Sequence, residues 1–236
     1  MSFVAVALLL SIQEPTLLRL DPLTPPWTYK STVTIEIDYT DFQPQEGQKP
    51  AKLKYSKTMD STVSLACIKS NDEQITWKWT VKGFKTTGAL PGANPSDKSL
   101  IGQSSTVVTN PRGGVISTAY STGLQQAFLG VKIFESPSNL ILPEEKVGPG
   151  ASWTINELLG ESTVPVKYTV TAFEKINAFT VARIDSNTEA PSSIRPVGPV
   201  KTWVDIASGR MIRATGAVTA NINGVKVRIF MTISKA

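Results

Sequence analysis

The stretch "WTYKSTVTIEIDYT", residues 27–40, alternates apolar and polar residues almost without fault. A period of two over so many residues, rich in β-branched and aromatic types, predicts a long β-strand with one buried and one solvated face. The predicted buried face carries Trp27, Tyr29, Val33, Ile35, Ile37 and Tyr39, and the solvated face carries Lys30, Thr32, Thr34, Glu36 and Asp38. We expect this strand to belong to an antiparallel sheet with one wet face.

Two further strands continue the same pattern. Residues 52–69 place Leu53, Tyr55, Met59, Val63, Leu65 and Cys67 on one face, and residues 75–83 follow the turn "SNDEQ" and carry Trp77 and Trp79. Three such runs in succession predict an antiparallel meander. Because the longer runs exceed the usual strand length of about five or six residues, we expect the sheet to curl strongly.

The remaining strands are marked by their turns. Residues 86–104 are rich in Gly, Pro and Ser and predict a loop, "PRGG" (111–114) predicts a hairpin, and residues 136–153 read as an extended Pro/Gly segment. Near the C-terminus, "MIRATG" (211–216) and "VTANI" (218–222) read as separate strands, and Asn223-Gly224 is typical of a type I′ hairpin turn. The total is about nine or ten strands. The predicted fold is therefore mainly β, a curled antiparallel sheet or half-barrel.

One segment changes period. In "STGLQQAFLGVKIFES" the residues Leu124, Ala127, Phe128 and Val131 recur at helical spacing, and Ser121 or Thr122 can serve as the N-cap. This pattern predicts one helix, at about 122–135, packed on the sheet.

The domain organisation follows from length. A chain of 236 residues suits one large β-rich domain, predicted over 16–236, with two halves of similar style at 16–120 and 140–236. The apolar run Phe3 to Leu10 has the length of a signal-peptide core and is too short to span a bilayer, but it has no basic flank and no A-x-A site. We interpret residues 1–15 as a truncated signal segment, with an apolar first strand as the alternative. The expected location is exported, periplasmic or extracellular, with the cytoplasm left open.

Composition limits the chemistry. The chain has no histidine and one cysteine, Cys67, which removes histidine-based catalytic pairs, most zinc and copper sites and any intramolecular disulfide. We therefore expect no metal, no cofactor and no enzymatic activity. The formal charge is +5, but the lysines are dispersed singly along the strands, so we expect no nucleic-acid partner.

The order of these features resembles a known family. The lead "LLRLDPLTPPWTYKSTVTIEI" (17–37) is followed by "WTV" (79–81), "GGVIS" (113–117), the predicted helix, "LPEEKVGPGASWTI" (142–155) and "WVDIASGRMIRATG" (203–216). This series is similar to an uncharacterised family of exported bacterial β-sheet proteins, a domain of unknown function, over roughly residues 17 to 233. The resemblance implies an architecture broadly like that of lipoprotein-carrier half-barrels, with a helix against the concave face, and it implies no catalytic activity.

The candidate site is the aromatic face. As a cavity wall it would bind a lipid or another hydrophobic ligand in the concavity of the sheet, through Trp27, Tyr29, Tyr55, Trp77, Trp79 and Phe128. The alternative is that these rings fill a closed core and that the protein is a structural or protein-interaction module of the cell envelope. A third hypothesis, a histidine-independent carboxylate hydrolase, requires two acids such as Asp38 and Asp60 to converge in a cleft.

Overall fold

The structure is a computed structural model, and it describes residues 14–42, 52–90, 97–121, 140–159, 162–188, 194–196, 198–222 and 224–236. The chain folds almost entirely into strands, with a single helical turn, α1, at Asp97–Leu100 in the described ranges. The strands are β1 (Trp27–Asp38), β2 (Lys54–Ser70), β3 (Ile75–Ala89), β4 (Ser104–Thr109), β5 (Val115–Tyr120), β6 (Ser152–Leu159), β7 (Ser162–Ile176), β8 (Phe179–Thr188), β9 (Ile194–Pro196), β10 (Val200–Asp205), β11 (Met211–Ile222) and β12 (Val225–Lys235). The predicted helix at 122–135, including Phe128, lies outside the described residues.

All twelve strands belong to one sheet. Its order is β5-β4-β3-β2-β1-β12-β11-β10-β8-β7-β6, and β9 pairs with β11 beside that path. Every pairing is antiparallel. The prediction of a mainly β, antiparallel sheet is confirmed. Strand β1 pairs with both β2 and β12, so the first and the last described strands are neighbours at the centre of the sheet.

The meander and two hairpins form as the sequence predicts. Strands β1, β2 and β3 are consecutive neighbours, and β4 and β5 are joined through residues 110–114. The turn between β11 and β12 contains Gly224 with a φ of 82°, a left-handed conformation that glycine adopts without steric cost.

Three details of the strand prediction are wrong. Residues 86–89 are not loop but the end of β3, where Thr86 and Thr87 pair with Met59 and Thr58 of the long strand β2. No strand was predicted at 152–159. Strand β6 begins in the last two residues of the extended Pro/Gly segment 136–153 and pairs along its whole length with β7. Finally, β11 runs unbroken through Gly216. A Cβ atom there would lie 2.8 Å from Cγ2 of Val200, so this glycine serves close packing and does not mark a turn.

The sheet curls until strands from its two flanks share a core. Trp77 of β3 and Tyr168 of β7 belong to one cluster of packed side chains, although six strands separate them in the sheet order. In a flat sheet these strands would lie roughly 34 Å apart, at about 4.8 Å per strand. Leu18, Leu20 and Leu142, from the segments that precede β1 and β6, belong to the same cluster and help to fill the curl.

The N-terminal segment, residues 14–26, forms backbone hydrogen bonds with three turns. The backbone N–H of Leu20 donates to Pro111, that of Asp21 donates to Ser208, and Thr16 pairs with Val147. The approach is close, since a Cβ atom on Gly209 would lie 2.0 Å from the carbonyl oxygen of Arg19. Gly209 also has a φ of 65°, so only glycine fits there.

Candidate functional site

We call the inner face the side of the sheet that carries Trp27, Tyr29, Val33, Ile35 and Ile37 of β1. The register extends this face to the neighbouring strands, because directly opposed residues in an antiparallel pair point to the same side. Leu65 lies opposite Trp27, Met59 opposite Val33 on one side, and Met231 opposite Val33 on the other. The inner face contains two apolar zones separated by a pair of serines.

The first zone is the aromatic core, formed by Trp27, Tyr29, Trp77 and Trp79. These side chains are between 3 % and 8 % exposed. Trp77 packs with β7 and β8, and its indole N–H donates to Oγ1 of Thr109 at 3.0 Å. Trp79 packs against Val81, Leu100 and Val107. Within the described part of the chain, packed residues therefore enclose all four rings.

Arg210 is the centre of the aromatic core. Its guanidinium carbon lies 4.7 Å from the ring centre of Trp27 and 5.2 Å from that of Trp77, and the side chain is 2 % exposed. The group donates a hydrogen bond of 2.8 Å to the carbonyl of Pro25. Burial is the main cause that lowers the pKa of Arg210. A desolvated cation held between two indoles is a strong cation–π arrangement and fixes both rings in place.

The serine pair closes the aromatic core on the inner face. Ser31 and Ser61 lie opposite each other on β1 and β2, and their hydroxyl oxygens are 2.6 Å apart. Ser61 is buried. One hydroxyl donates to the other, so both oxygens of this polar row have a hydrogen-bond partner within an otherwise apolar face.

The second zone, the apolar grid, lies beyond the serines. It has three rows across β2, β1, β12 and β11, and the rows are Met59, Val33, Met231 and Gly216; Lys57, Ile35, Ile229 and Val218; Tyr55, Ile37, Val227 and Ala220. Strand and residue spacings give the grid dimensions of about 14 by 14 Å. Val33, Ile35 and Lys57 are buried, whereas the other side chains of the grid are half-buried. The grid therefore combines a continuous apolar surface with partial exposure to solvent.

Aromatic rings form the lower rim of the grid. Tyr39 packs edge-on against Tyr55 at a ring distance of 5.9 Å and against Phe42 at 5.8 Å. Both tyrosines are half-buried. This rim offers flat, partly exposed rings beside the apolar side chains of β1.

The structure separates the predicted wall residues into groups. Trp27, Tyr29, Trp77 and Trp79 lie in the aromatic core, Tyr55 lies in the apolar grid, and Phe128 lies outside the described residues. Ligand contact through these residues stays a prediction. The sequence pattern alone did not single out Ile229 and Met231 as site residues, although the alternation of β12 marks them as apolar. Their place in the grid follows from the pairing of β12 with β1, which joins residues about 200 positions apart.

The two carboxylates of the hydrolase hypothesis, Asp38 and Asp60, form local contacts, and so does Asp205. Asp205 accepts hydrogen bonds from the backbone N–H and the hydroxyl of Ser208 in the turn that follows it. Asp60 accepts from Thr32 across the strand pair at 2.6 Å. Asp38 accepts from Thr40 and pairs with Lys54, and these contacts lower the pKa of Asp38 to about 2.

No protein-family model and no curated protein sequence matches the chain. Among solved structures, the chain is similar to the crystal structure of a LolA superfamily protein from Nitrosomonas europaea, with 10% sequence identity and a TM-score of 0.21. The match covers 89% of this chain and 87% of that chain. Within the described ranges, no helix has the length and hydropathy needed to cross a bilayer. A likeness at this distance assigns neither family nor function, so the proposal below is argued from the geometry of the chain itself.

Proposed function

We propose that the protein is a non-catalytic binder of an apolar ligand and that the ligand lies on the apolar grid. The observation that supports this most directly is the half-burial of Met59, Met231 and Ile229 within a continuous apolar surface. Hydrophobic ligands bind to soluble proteins on continuous, mostly apolar surfaces of this kind when the surface is concave. The neighbouring aromatic core is already packed, so it supplies a rigid end wall to the site.

The composition of the grid favours a flexible hydrocarbon over a rigid, polar molecule. Methionine side chains are unbranched and polarizable, and they adapt to ligands of variable shape. Isoleucine and valine side chains supply most of the remaining surface, and Tyr55 closes one end. Such a wall, with few polar groups, suits the acyl chain of a lipid.

This function fits an exported protein of the cell envelope, where lipids must be carried or held. Ligand contact through Trp27, Tyr29, Trp77, Trp79 and Phe128 is the alternative location of the site, and the tests below distinguish it from binding on the grid.

The test is a titration with a fluorescent fatty acid. An Ile229→Asp substitution places a charge in the middle row of the grid, and burial of that charge against an acyl chain is costly. We expect saturable binding by the unmodified protein and affinity weaker by more than tenfold in the variant.

The matched control is Phe230→Asp, one residue along the same strand. Phe230 points to the opposite face and is 42% exposed, so its substitution should leave the titration unchanged. Circular dichroism confirms that both variants fold. Equal binding by both variants would refute the grid as the site, and no binding by the unmodified protein would favour the structural or protein-interaction module instead.

A further inference from the structure

The outer face of the sheet, opposite the inner face, is basic near β3. Lys78 and Lys85 alternate with the inner residues of β3, and Lys82 is the extra residue of a bulge between Thr62 and Val63 on the partner strand. Lys30 of β1 lies on the same side, two strands away. All four lysines are exposed. Over the described part of the chain, none of them has a carboxylate within 4.0 Å.

The acidic residue closest to these lysines in the register is Asp60, which lies opposite Lys85 and accepts a hydrogen bond from Thr32. Two further exposed acids, Asp72 and Glu73, lie in the turn between β2 and β3. In the described part of the chain, none of these carboxylates forms an ion pair with the four lysines. The three lysines of β3 extend over roughly 23 Å, at about 3.3 Å per residue.

The side chains that surround these lysines are small. The outer positions of the adjoining strands carry small side chains, including Ser64 and Ala66 of β2 and Thr106 of β4. Beside Lys30 and Lys85 a notch of about 430 Å³ opens where Gly83 has no side chain. The ammonium groups thus stand above their surroundings, which allows several of them to meet a broad anionic surface at once.

Exposed apolar side chains lie at one end of this basic patch. Ile68 at the end of β2 is 56% exposed, and Ile116 at the start of β5 is 52% exposed. Each is the extra residue of a β-bulge, and the register brings both to the level of Ile75 and Thr76, because Lys69 and Val108 pair with Thr76 and Thr109 pairs with Ile75 and Val115. A soluble polyanion offers no apolar phase for these side chains, whereas the interface of a bilayer does.

We propose that this surface, formed by Lys30, Lys78, Lys82 and Lys85 with the rim of Ile68 and Ile116, docks the protein on an anionic lipid bilayer. The lysines are attracted to the acidic head groups, and the apolar rim enters the interfacial layer. The docking surface lies on the side of the sheet opposite the apolar grid. Docking therefore leaves the grid open, and the two sites can be tested separately.

The test is co-sedimentation of the full chain with vesicles of phosphatidylcholine alone or with phosphatidylglycerol added. Each basic residue near an anionic membrane contributes about 1 kcal/mol, so Lys78→Gln, Lys82→Gln and Lys85→Gln together should weaken binding on the order of 100-fold. A charge-matched control, Lys146→Gln, Lys167→Gln and Lys201→Gln, changes three exposed lysines elsewhere and should keep most of the affinity.

A second variant tests the apolar rim. Ile68→Ser with Ile116→Ser should weaken binding to the anionic vesicles several-fold and leave any binding to a soluble polyanion such as heparin unchanged. Equal loss in both lysine triples, binding to phosphatidylcholine alone, or a rim variant that binds the vesicles normally would each overturn the proposal. Ile229→Asp should bind the vesicles like the unmodified protein, so failure of the grid does not imitate failure of this surface.

Discussion

At the residue scale, Arg210 organises the aromatic core. Its guanidinium lies over Trp27 and Trp77 and donates to the carbonyl of Pro25, so one side chain links β1, β3 and the turn that precedes β11. A buried cation without a carboxylate partner is costly in general. Here two indole faces and a backbone carbonyl offset that cost, and the packed stem fills space that no other side chain occupies.

Replacing Arg210 therefore tests the role of this contact. Arg210→Ala removes the ring contacts and leaves a cavity, and we expect the free energy of unfolding to fall by about 2–4 kcal/mol. Arg210→Lys keeps the charge but cannot stack on both rings, so it should lose a large part of the same stability. Denaturant unfolding measures the free energy of unfolding of both variants. Unchanged stability in Arg210→Lys would show that the charge, and not the stacking on both rings, stabilises the core.

Tyr29 gives the core a dependence on alkaline pH. Burial is the main cause that raises the pKa of Tyr29 above its ordinary value of about 10. The unfolded chain therefore loses this proton at a pH where the folded chain keeps it. The stabilisation is complete below about pH 10 and is lost as the pH rises further, by about 1.4 kcal/mol for each unit.

The Tyr29→Phe variant isolates this effect. The free energy of unfolding, measured at pH 7 and pH 11, should fall less between the two values in the variant than in the unmodified protein. An identical fall in both proteins would mean that Tyr29 does not contribute.

At the scale of the elements, the alternation of apolar and polar residues predicts local structure, such as single strands and tight hairpins. Strand β1 and the Asn223-Gly224 hairpin could be predicted because the period and the turn chemistry lie within a few residues. The predicted break between the strands 211–216 and 218–222 was wrong, because Gly216 lies inside β11, where its missing side chain makes room for Val200. The grid could not be predicted, since β12 meets β1 only when the first and the last described strands come together. The approach of the N-terminal segment to Gly209 has no signal in the sequence for the same reason.

Alanine substitutions at Gly102 and Gly209 distinguish the cost of backbone strain from the cost of a steric clash. Gly209 and Gly102 both have positive φ, but a Cβ atom on Gly209 meets Arg19, whereas one on Gly102 meets nothing within 4 Å. Alanine at Gly102 should cost only the backbone strain, about 1 kcal/mol. Alanine at Gly209 must also displace the N-terminal segment, and we expect an additional loss of at least about 2 kcal/mol. Equal stabilities of the two variants, measured by denaturant unfolding, would contradict this account of the segment.

At the scale of the whole molecule, one curled sheet presents two different surfaces. The inner face is closed at the aromatic core and partly open at the apolar grid, while the outer face near β3 carries lysines above small side chains. The curl itself was predictable from strand length, because long strands twist and coil. On the inner face, the curl leaves the aromatic core packed and the apolar grid half-exposed. This difference depends on the segments at 14–26 and 140–147, which pack at the aromatic core and not at the grid.

The central claim is that the apolar grid, and not the aromatic core, receives the ligand. The methionines test it directly, because Met59 and Met231 lie in the grid and Met211 is buried in the core. In a protein labelled with ¹³C at the methionine methyl groups, titration with a long-chain fatty acid should shift the Met59 and Met231 signals saturably and leave Met211 unmoved. A shift confined to Met211, or no saturable shift at all, would contradict the account.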